Sequence, residues 1–348
     1  DAKTHRYCRT ASVVKANAYG HGMQAVATSL FEAGCRVFCV ARLEEAIELR
    51  SILVAENHAH KLAEIICFDG LDDGKMADYR THNLVPALKQ LSEVEDANKF
   101  AHNSGEVLPV WIQLDTGMNR LGISEAELSS LSVGIQSDSL SGLDIRAVMS
   151  HLSTSDNPSH HANERHHDRF IEMSARFGTL PRSLSASHGI LLSDKFHFDI
   201  TRPGIALYGY SDNSIAEFGC KPILKWTAPI LQIRTINAGE QIGYGADFTA
   251  STPMRIATVG AGYADGYKRL LQTIGKTSVA GHICNIVGRI SMDSLVIDVS
   301  DIPETELAKI SQVCLLGAHY TAAEMAADLS TISYEILTSL GTRPKRVY

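Results

Sequence analysis

No stretch of this sequence approaches the roughly 20 consecutive apolar residues that a helix needs to cross a bilayer. Long basic runs are missing too, and a formal net charge of −7 argues against a nucleic-acid footprint. Seven cysteines occur (Cys8, Cys35, Cys39, Cys67, Cys220, Cys284 and Cys314), but no Cys-x-x-Cys pair, so neither a zinc ribbon nor a disulfide frame is indicated. Several sit in apolar runs such as Val37-Phe38-Cys39-Val40 and Ile65-Ile66-Cys67-Phe68, which reads as reduced core thiols in a cytoplasmic protein. Internal repeats and low-complexity segments are also lacking. What is present, 45% hydrophobic and 20% charged residues, excludes disorder and is ordinary for a globular chain. A length of 348 residues exceeds one small core and suits two domains.

From Ser12 to about Arg202, short apolar runs alternate with amphipathic stretches. Strands are expected at Ser12 to Val14, Arg36 to Val40, Ala63 to Phe68, Leu84 to Ala87, Val107 to Leu114, Ile145 to Met149, Ser183 to Ser185 and Phe198 to Ile200. Between them, Leu43, Ala46 and Ile47 line one helical face and Glu44, Glu45 and Glu48 the other. The alternation fits an α/β barrel or a doubly wound sheet. Lys15, Arg120, His151, Ser187 and Arg202 each follow a different expected strand. Only a (β/α)8 barrel gathers the carboxyl ends of all strands at one mouth, so a TIM-type barrel is the expectation. Phosphate sites in such barrels lie after the seventh and eighth strands, where Ser187 and Gly204-Ile205 stand.

Beyond Tyr208-Gly209-Tyr210 the texture becomes β-rich, with strands expected at Ile230 to Ile236, Gln241 to Tyr244, Arg255 to Val259, Ile283 to Val287 and Leu295 to Val299. Helical spacing returns from Thr321 to Leu340. The expected division is a barrel over 1–222 and a β-rich C-terminal domain over 223–348.

Lys15 ends a β-branched run and opens a Gly-rich turn, in Ser12-Val13-Val14-Lys15-Ala16-Asn17-Ala18-Tyr19-Gly20-His21-Gly22. Burial would depress its pKa, and a neutral amine can form a Schiff base with an aldehyde. An ordinary solvated lysine is the bland alternative. The whole string, however, resembles the pyridoxal-phosphate lysine motif of bacterial alanine racemases, and Thr201-Arg202-Pro203-Gly204-Ile205-Ala206-Leu207-Tyr208-Gly209 resembles that family's second motif. Further similar strings are Asp115-Thr116-Gly117-Met118-Asn119-Arg120-Leu121-Gly122, Gly262-Tyr263-Ala264-Asp265-Gly266 and Gly288-Arg289-Ile290-Ser291-Met292-Asp293.

The resemblance implies pyridoxal 5'-phosphate as cofactor and L- and D-alanine as substrates, interconverted to supply D-alanine for peptidoglycan. It implies that Lys15 carries the cofactor and serves as one base. Tyr244, in Gly243-Tyr244-Gly245-Ala246, would be the other, reaching into the partner's site of a homodimer. Arg202 would face the pyridine nitrogen; an arginine stays charged, so it donates a hydrogen bond there and leaves that nitrogen unprotonated. His151 would pack against the ring, and Tyr19, Ser187, Gly204, Ile205 and Tyr334 would contact the phosphate. Arg120 and the Met292 amide would hold the substrate carboxylate, with Tyr263 at the entrance. A racemase of other small amino acids such as serine, and a pyridoxal-phosphate-binding homeostasis protein without turnover, are the alternatives; Tyr244 and the second domain argue against the latter.

Two features stand apart. Gln113 occupies the position of a lysine that many members of the family carbamylate. Its amide cannot form a carbamate, but its oxygen is expected to accept a hydrogen bond from Arg120, leaving a cationic pocket for a small anion such as chloride. His160, His161, His166 and His167 lack the i, i+4 spacing of paired metal ligands, and Asn163, Glu164, Arg165 and Asp168 around them suggest a solvated helix, so no metal is expected.

Overall fold

Residues 8–55, 63–72, 74–211 and 219–348 are described by a computed structural model of the chain. Its first eight strands are β1 (Arg9–Val13), β2 (Val37–Val40), β3 (Glu64–Cys67), β4 (Val85–Leu88), β5 (Leu108–Gln113), β6 (Leu143–Met149), β7 (Arg182–Ser183) and β8 (Ile200–Thr201). They pair in parallel in the order β7-β6-β5-β4-β3-β2-β1-β8. The seam between β7 and β8 is joined by the Ala186↔Arg202 bridge and by amides of Asp199 and Arg202 donating to the carbonyls of Arg182 and Ser185 at 3.0 and 2.8 Å. A doubly wound sheet would leave two edges; this sheet closes on itself as a (β/α)8 barrel.

Helices α1 (Met23–Glu32), α2 (Leu43–Ala55), α3 (Met76–Thr81), α4 (Leu91–Ser104), α5 (Glu125–Gln136), α6 (Ala162–Ser174) and α7 (Ser187–Leu192) alternate with the strands. On α2 the buried stripe is Leu43, Ala46, Leu49, Arg50 and Leu53, with Glu44 and Glu48 exposed. Arg50 is satisfied there by donating to the carbonyls of Ala63, His82 and Asn83.

Two expectations need correction. The histidine-rich helix is not solvated all round: on α6, Asn163, His166, His167, Phe170, Met173 and Ser174 are buried. The two histidines fall on the i, i+3, i+4, i+7 stripe that faces the core, and His167 packs edge-on to Phe196 at 5.1 Å. The eighth strand begins at Ile200 rather than Phe198, because Phe198 adopts φ of 50°, in the left-handed region.

The chain divides into two units: one runs to Leu207, and a second takes up Tyr208 and everything from Cys220 to Tyr348. The second unit contains β9 (Trp226–Ile236), β10 (Gln241–Ile242), β11 (Phe248–Thr249), β12 (Met254–Val259), β13 (Lys276–Val279), β14 (His282–Asn285), β15 (Leu295–Asp298) and β16 (Gln312–Leu316). Six of them form an antiparallel sheet in the order β14-β13-β16-β9-β12-β15, and β10 pairs with β11. Ile236, Ile242, Ala250, Met254, Ile256 and Val287 form a buried cluster within it. Helices α8 (Glu304–Leu307), α9 (Ala322–Asp328) and α10 (Ser333–Thr338) follow. Among the described residues, no helix is long and apolar enough to cross a membrane.

Candidate active site

Every barrel strand runs the same way, so the residues following β1, β5, β6, β7 and β8 share one mouth: Lys15, Arg120, His151, Ser187 and Arg202. Lys15 leads into an unusual turn. Ala16, Asn17, Ala18 and Tyr19 all have φ of 52 or 53°, four consecutive non-glycine residues in the left-handed region. Each such residue costs about 1–2 kcal/mol, so the turn persists only because its surroundings hold it. Ala18 N donates to the Val14 carbonyl at 2.9 Å, Gly20 N to Ala16 at 2.9 Å, and the Asn17 side chain accepts Met23 N at 2.7 Å, capping α1.

The turn delivers Tyr19 inward. A Cβ on Gly204 would lie 2.4 Å from the Tyr19 hydroxyl, so only glycine leaves room for that contact. Ser187, at the start of α7, accepts the amides of Gly204 and Ala206 on its Oγ at 2.9 and 3.2 Å, and Ile205 between them is fully buried. Tyr19, Ser187, Gly204 and Ile205 are thereby one cluster, with two hydroxyls converging on a glycine-lined backbone.

Among the described residues, no carboxylate pairs with Arg202. That side chain is 2% exposed, and its guanidinium donates to Ser183 Oγ and to the carbonyls of Ser150 and Leu184. Burial pushes its pKa down to about 10, still protonated at neutral pH. Burial, reinforced by Arg202, Arg120 and Lys15, pushes His151 down to about 3, so its imidazole is neutral. Lys15 is lowered from the ordinary lysine value by burial first and Arg120 second. Ser183 and Ser150 are not marked by the sequence as site residues; the one signal is a hydroxyl at the carboxyl end of a barrel strand.

Arg120 sits on a loop that leaves β5 and returns through the Leu114↔Ile123 bridge. Asp115 Oδ1 accepts Gly117 N and Asn119 N at 2.9 and 3.1 Å, and a Cβ on Gly122 would meet Asp115 N at 2.5 Å. Arg120 is exposed and makes no hydrogen bond or ion pair among the described residues. The bond expected between Arg120 and Gln113 is not formed. Gln113 is buried, and its Nε2 donates instead to the Leu121 carbonyl of the returning loop at 3.1 Å.

In the second unit, three segments adjoin. Gly288 and Arg289 pack on the Ile242-Gly243 backbone, and Arg289 folds over Gly245 to pair with both carboxylate oxygens of Asp247. Tyr263 N and Ala264 N donate to the carbonyls of Ser291 and Met292 at 3.1 and 3.0 Å. Tyr244, Tyr263 and Met292 ride on these segments, 72, 43 and 52% exposed. The expected strand to Tyr244 stops at Ile242, because Gly243 and Gly245 turn the chain at φ of 72 and 77°. Tyr334 lies half-buried on α10.

The chain matches the family model for the alanine racemase N-terminal domain over residues 2–212 and that for the alanine racemase C-terminal domain over residues 223–348. It is 41% identical to a catabolic alanine racemase of Agrobacterium fabrum over 340 residues, spanning 98% of this chain and 86% of that protein. It is 39% identical to an alanine racemase of Brucella suis over 353 residues, spanning 98 and 87%. Among solved structures, an alanine racemase from Bartonella henselae with covalently bound pyridoxal phosphate superposes with a TM-score of 0.92 at 35% identity, covering 100% of this chain and 94% of that one. The biosynthetic alanine racemase of Pseudomonas aeruginosa gives 0.86 at 34% identity, covering 98 and 92%. The chain belongs to the alanine racemase family.

Proposed function

We propose that this chain is a pyridoxal-phosphate-dependent alanine racemase, interconverting L- and D-alanine by proton transfer on opposite faces of Cα. The observation that carries the reading is the pairing, at one barrel mouth, of a lysine whose burial favours its neutral amine with a buried arginine whose hydrogen-bond partners among the described residues are neutral. The donor set suits the cofactor: an amine for an aldehyde, the Tyr19 and Ser187 hydroxyls with the Gly204-Ile205 backbone for a phosphate, and a guanidinium for a ring nitrogen. When bound, pyridoxal phosphate supplies the aldehyde and a conjugated ring that draws electrons from the Cα–H bond. Arg202 would face the ring nitrogen as a donor that keeps its proton, and so would moderate that withdrawal. His151, neutral, offers the ring a flat face without adding charge.

Racemisation needs a proton acceptor on each face of a planar carbon. Lys15 Nζ serves one face, and the partner's Tyr244 the other, in a homodimer where residues 1–222 carry the cofactor and residues 223–348 complete the neighbouring site. The exposure of Tyr244, Tyr263 and Met292 supports this assignment, since a base meant for another chain must project from its own. Arg120, with a free planar fork, holds the substrate carboxylate together with the Met292 amide; Tyr263 lines the entrance, and Tyr334 adds a phosphate contact. Gln113 makes the site independent of carbon dioxide, and the uncompensated charge of Arg120 recruits a small anion such as chloride beside it. The free thiols of the described residues fit the cytoplasm, where D-alanine for peptidoglycan is made.

Deuterium wash-in at Cα across L- and D-amino acids tests the reading. Alanine should exchange fastest from both enantiomers, whereas faster exchange of serine transfers the assignment to that substrate, and no exchange with bound cofactor leaves only a binding protein. Added bicarbonate should leave the rate unchanged at fixed pH. Exchanging chloride for a bulky anion should alter substrate KM; an unaltered KM removes the anion.

A further inference from the structure

Glu45 lies in the first turn of α2, where a glutamate returning to the helix's leading amides is half of a capping box. Its Oε2 does this, accepting Ala41 N at 2.9 Å and Arg42 N at 3.2 Å. Capping leaves Oε1 to spare. That oxygen accepts the amide of Ala16, 29 residues earlier in the chain, at 2.6 Å. Ala16 is the residue after Lys15 and the first of the four in the left-handed turn, so one carboxylate ties the strained turn after β1 to the loop after β2.

Resting on the reading of Lys15 as the cofactor-bearing amine, we propose that Glu45 is a positioning residue for it. It locks the left-handed turn through the Ala16 amide and fixes a negative charge in the amine's surroundings. Both carboxylate oxygens are held by backbone amides, so Glu45 is not placed to exchange protons with substrate; it acts through Lys15. The charge has a defined effect. Groups facing the amine are Arg120 from the β5 loop, Glu45 from α2, Asp69 from the β3 loop, Cys39 from β2 and neutral His151 from the β6 loop. Burial and Arg120 lower its pKa, and Glu45 is the foremost of the groups that oppose them. The sequence shows Glu45 only as one of several acidic residues on the outer face of a helix; nothing local marks its reach to Ala16.

The test uses the full-length chain and three variants, Glu45→Gln, Glu45→Asp and Glu45→Ala. After removal of the cofactor, the rate at which acetic anhydride labels Lys15 is followed against pH by mass spectrometry. Glu45→Gln keeps an acceptor but loses the charge, so the labelling midpoint should fall by roughly half a pH unit or more. Glu45→Asp keeps the charge, and its midpoint should stay nearer the parent's than that of Glu45→Gln. In the holoenzyme, Glu45→Ala removes the clamp, and amide exchange over residues 16–19 should quicken by about 10-fold or more. An unmoved midpoint in Glu45→Gln overturns the electrostatic role, and parental exchange in Glu45→Ala overturns the clamp. Whether borohydride fixes a pyridoxyl group on Lys15 is a separate measurement, so failure of either idea is recognised apart from the other.

Discussion

The barrel mouth and the loop cluster of the second unit are built on opposite principles. At the mouth, Tyr19, Ser187, Ile205 and Arg202 are buried and bonded to one another's loops, and strain is stored in four consecutive left-handed residues. In the second unit, Tyr244, Tyr263 and Met292 stand exposed on glycine-turned segments, and the order is in the supporting backbone and in the Asp247–Arg289 pair. The first region is organised to hold a group rigidly. The second presents side chains outward on a stiff frame, the arrangement that the proposed two-chain site requires.

The largest effect short of deleting a base should come from Arg202→Glu. It removes the guanidinium donors to Ser183 Oγ and to the carbonyls of Ser150 and Leu184 and sets a carboxylate among acceptors, costing about 3–5 kcal/mol by denaturant unfolding. In the fraction that folds and loads cofactor, transamination, read as pyruvate formed from alanine, should rise. If stability and side products both stay at parental levels, the buried guanidinium does not have the role assigned to it.

His151 makes the mouth sensitive to acid. Its pKa is near 6.5 unfolded and about 3 folded, so between those values the unfolded chain binds more protons and stability falls as the pH falls, by up to about 5 kcal/mol at the lower end. Thermal midpoints of the parent and of His151→Gln should therefore converge between pH 6.5 and about 3, the loss attributable to His151 being missing from the variant. Parallel slopes would deny that the folded state keeps the imidazole neutral.

A smaller effect is expected of Gly204→Ala, whose Cβ would collide with the Tyr19 hydroxyl at 2.4 Å. Displacing that ring should weaken retention of pyridoxal phosphate by about 10-fold, or about 1.4 kcal/mol, measured by dialysis, and Tyr19→Phe in the same background should recover part of it. On the second unit, Gly245→Ala meets a different obstacle, a positive φ of 77° together with the Arg289 guanidinium, so it should strain the turn beside Tyr244 while leaving cofactor retention unchanged.

The sequence exposed the mouth more fully than its supports. Lys15, Arg120, His151, Ser187 and Arg202 were legible because each follows a different expected strand, and parallel strands put such positions together. The left-handed turn was not, since Ala and Tyr disfavour it and Asn17 alone tolerates it locally; it is held by partners such as Glu45 that lie far away in sequence. Strands β13 and β16 escaped because Lys276-Thr277-Ser278-Val279 is polar and Gln312 to Leu316 is too short to show a period. His166 and His167 read as surface residues by type but occupy a core stripe. The partner of Gln113 is not legible in the sequence, because the Leu121 carbonyl comes within reach only once the loop folds back.

Complementation between subunits tests the two-base, two-chain site most directly. Lys15→Ala and Tyr244→Phe homodimers should each lose at least about 10³-fold in kcat. When the two are mixed under exchange conditions, the hybrid dimer holds one site with both bases intact, so activity should return to as much as about a quarter of the parental value for random pairing. Hybrids verified by native mass spectrometry that remain as inactive as their parents would contradict it.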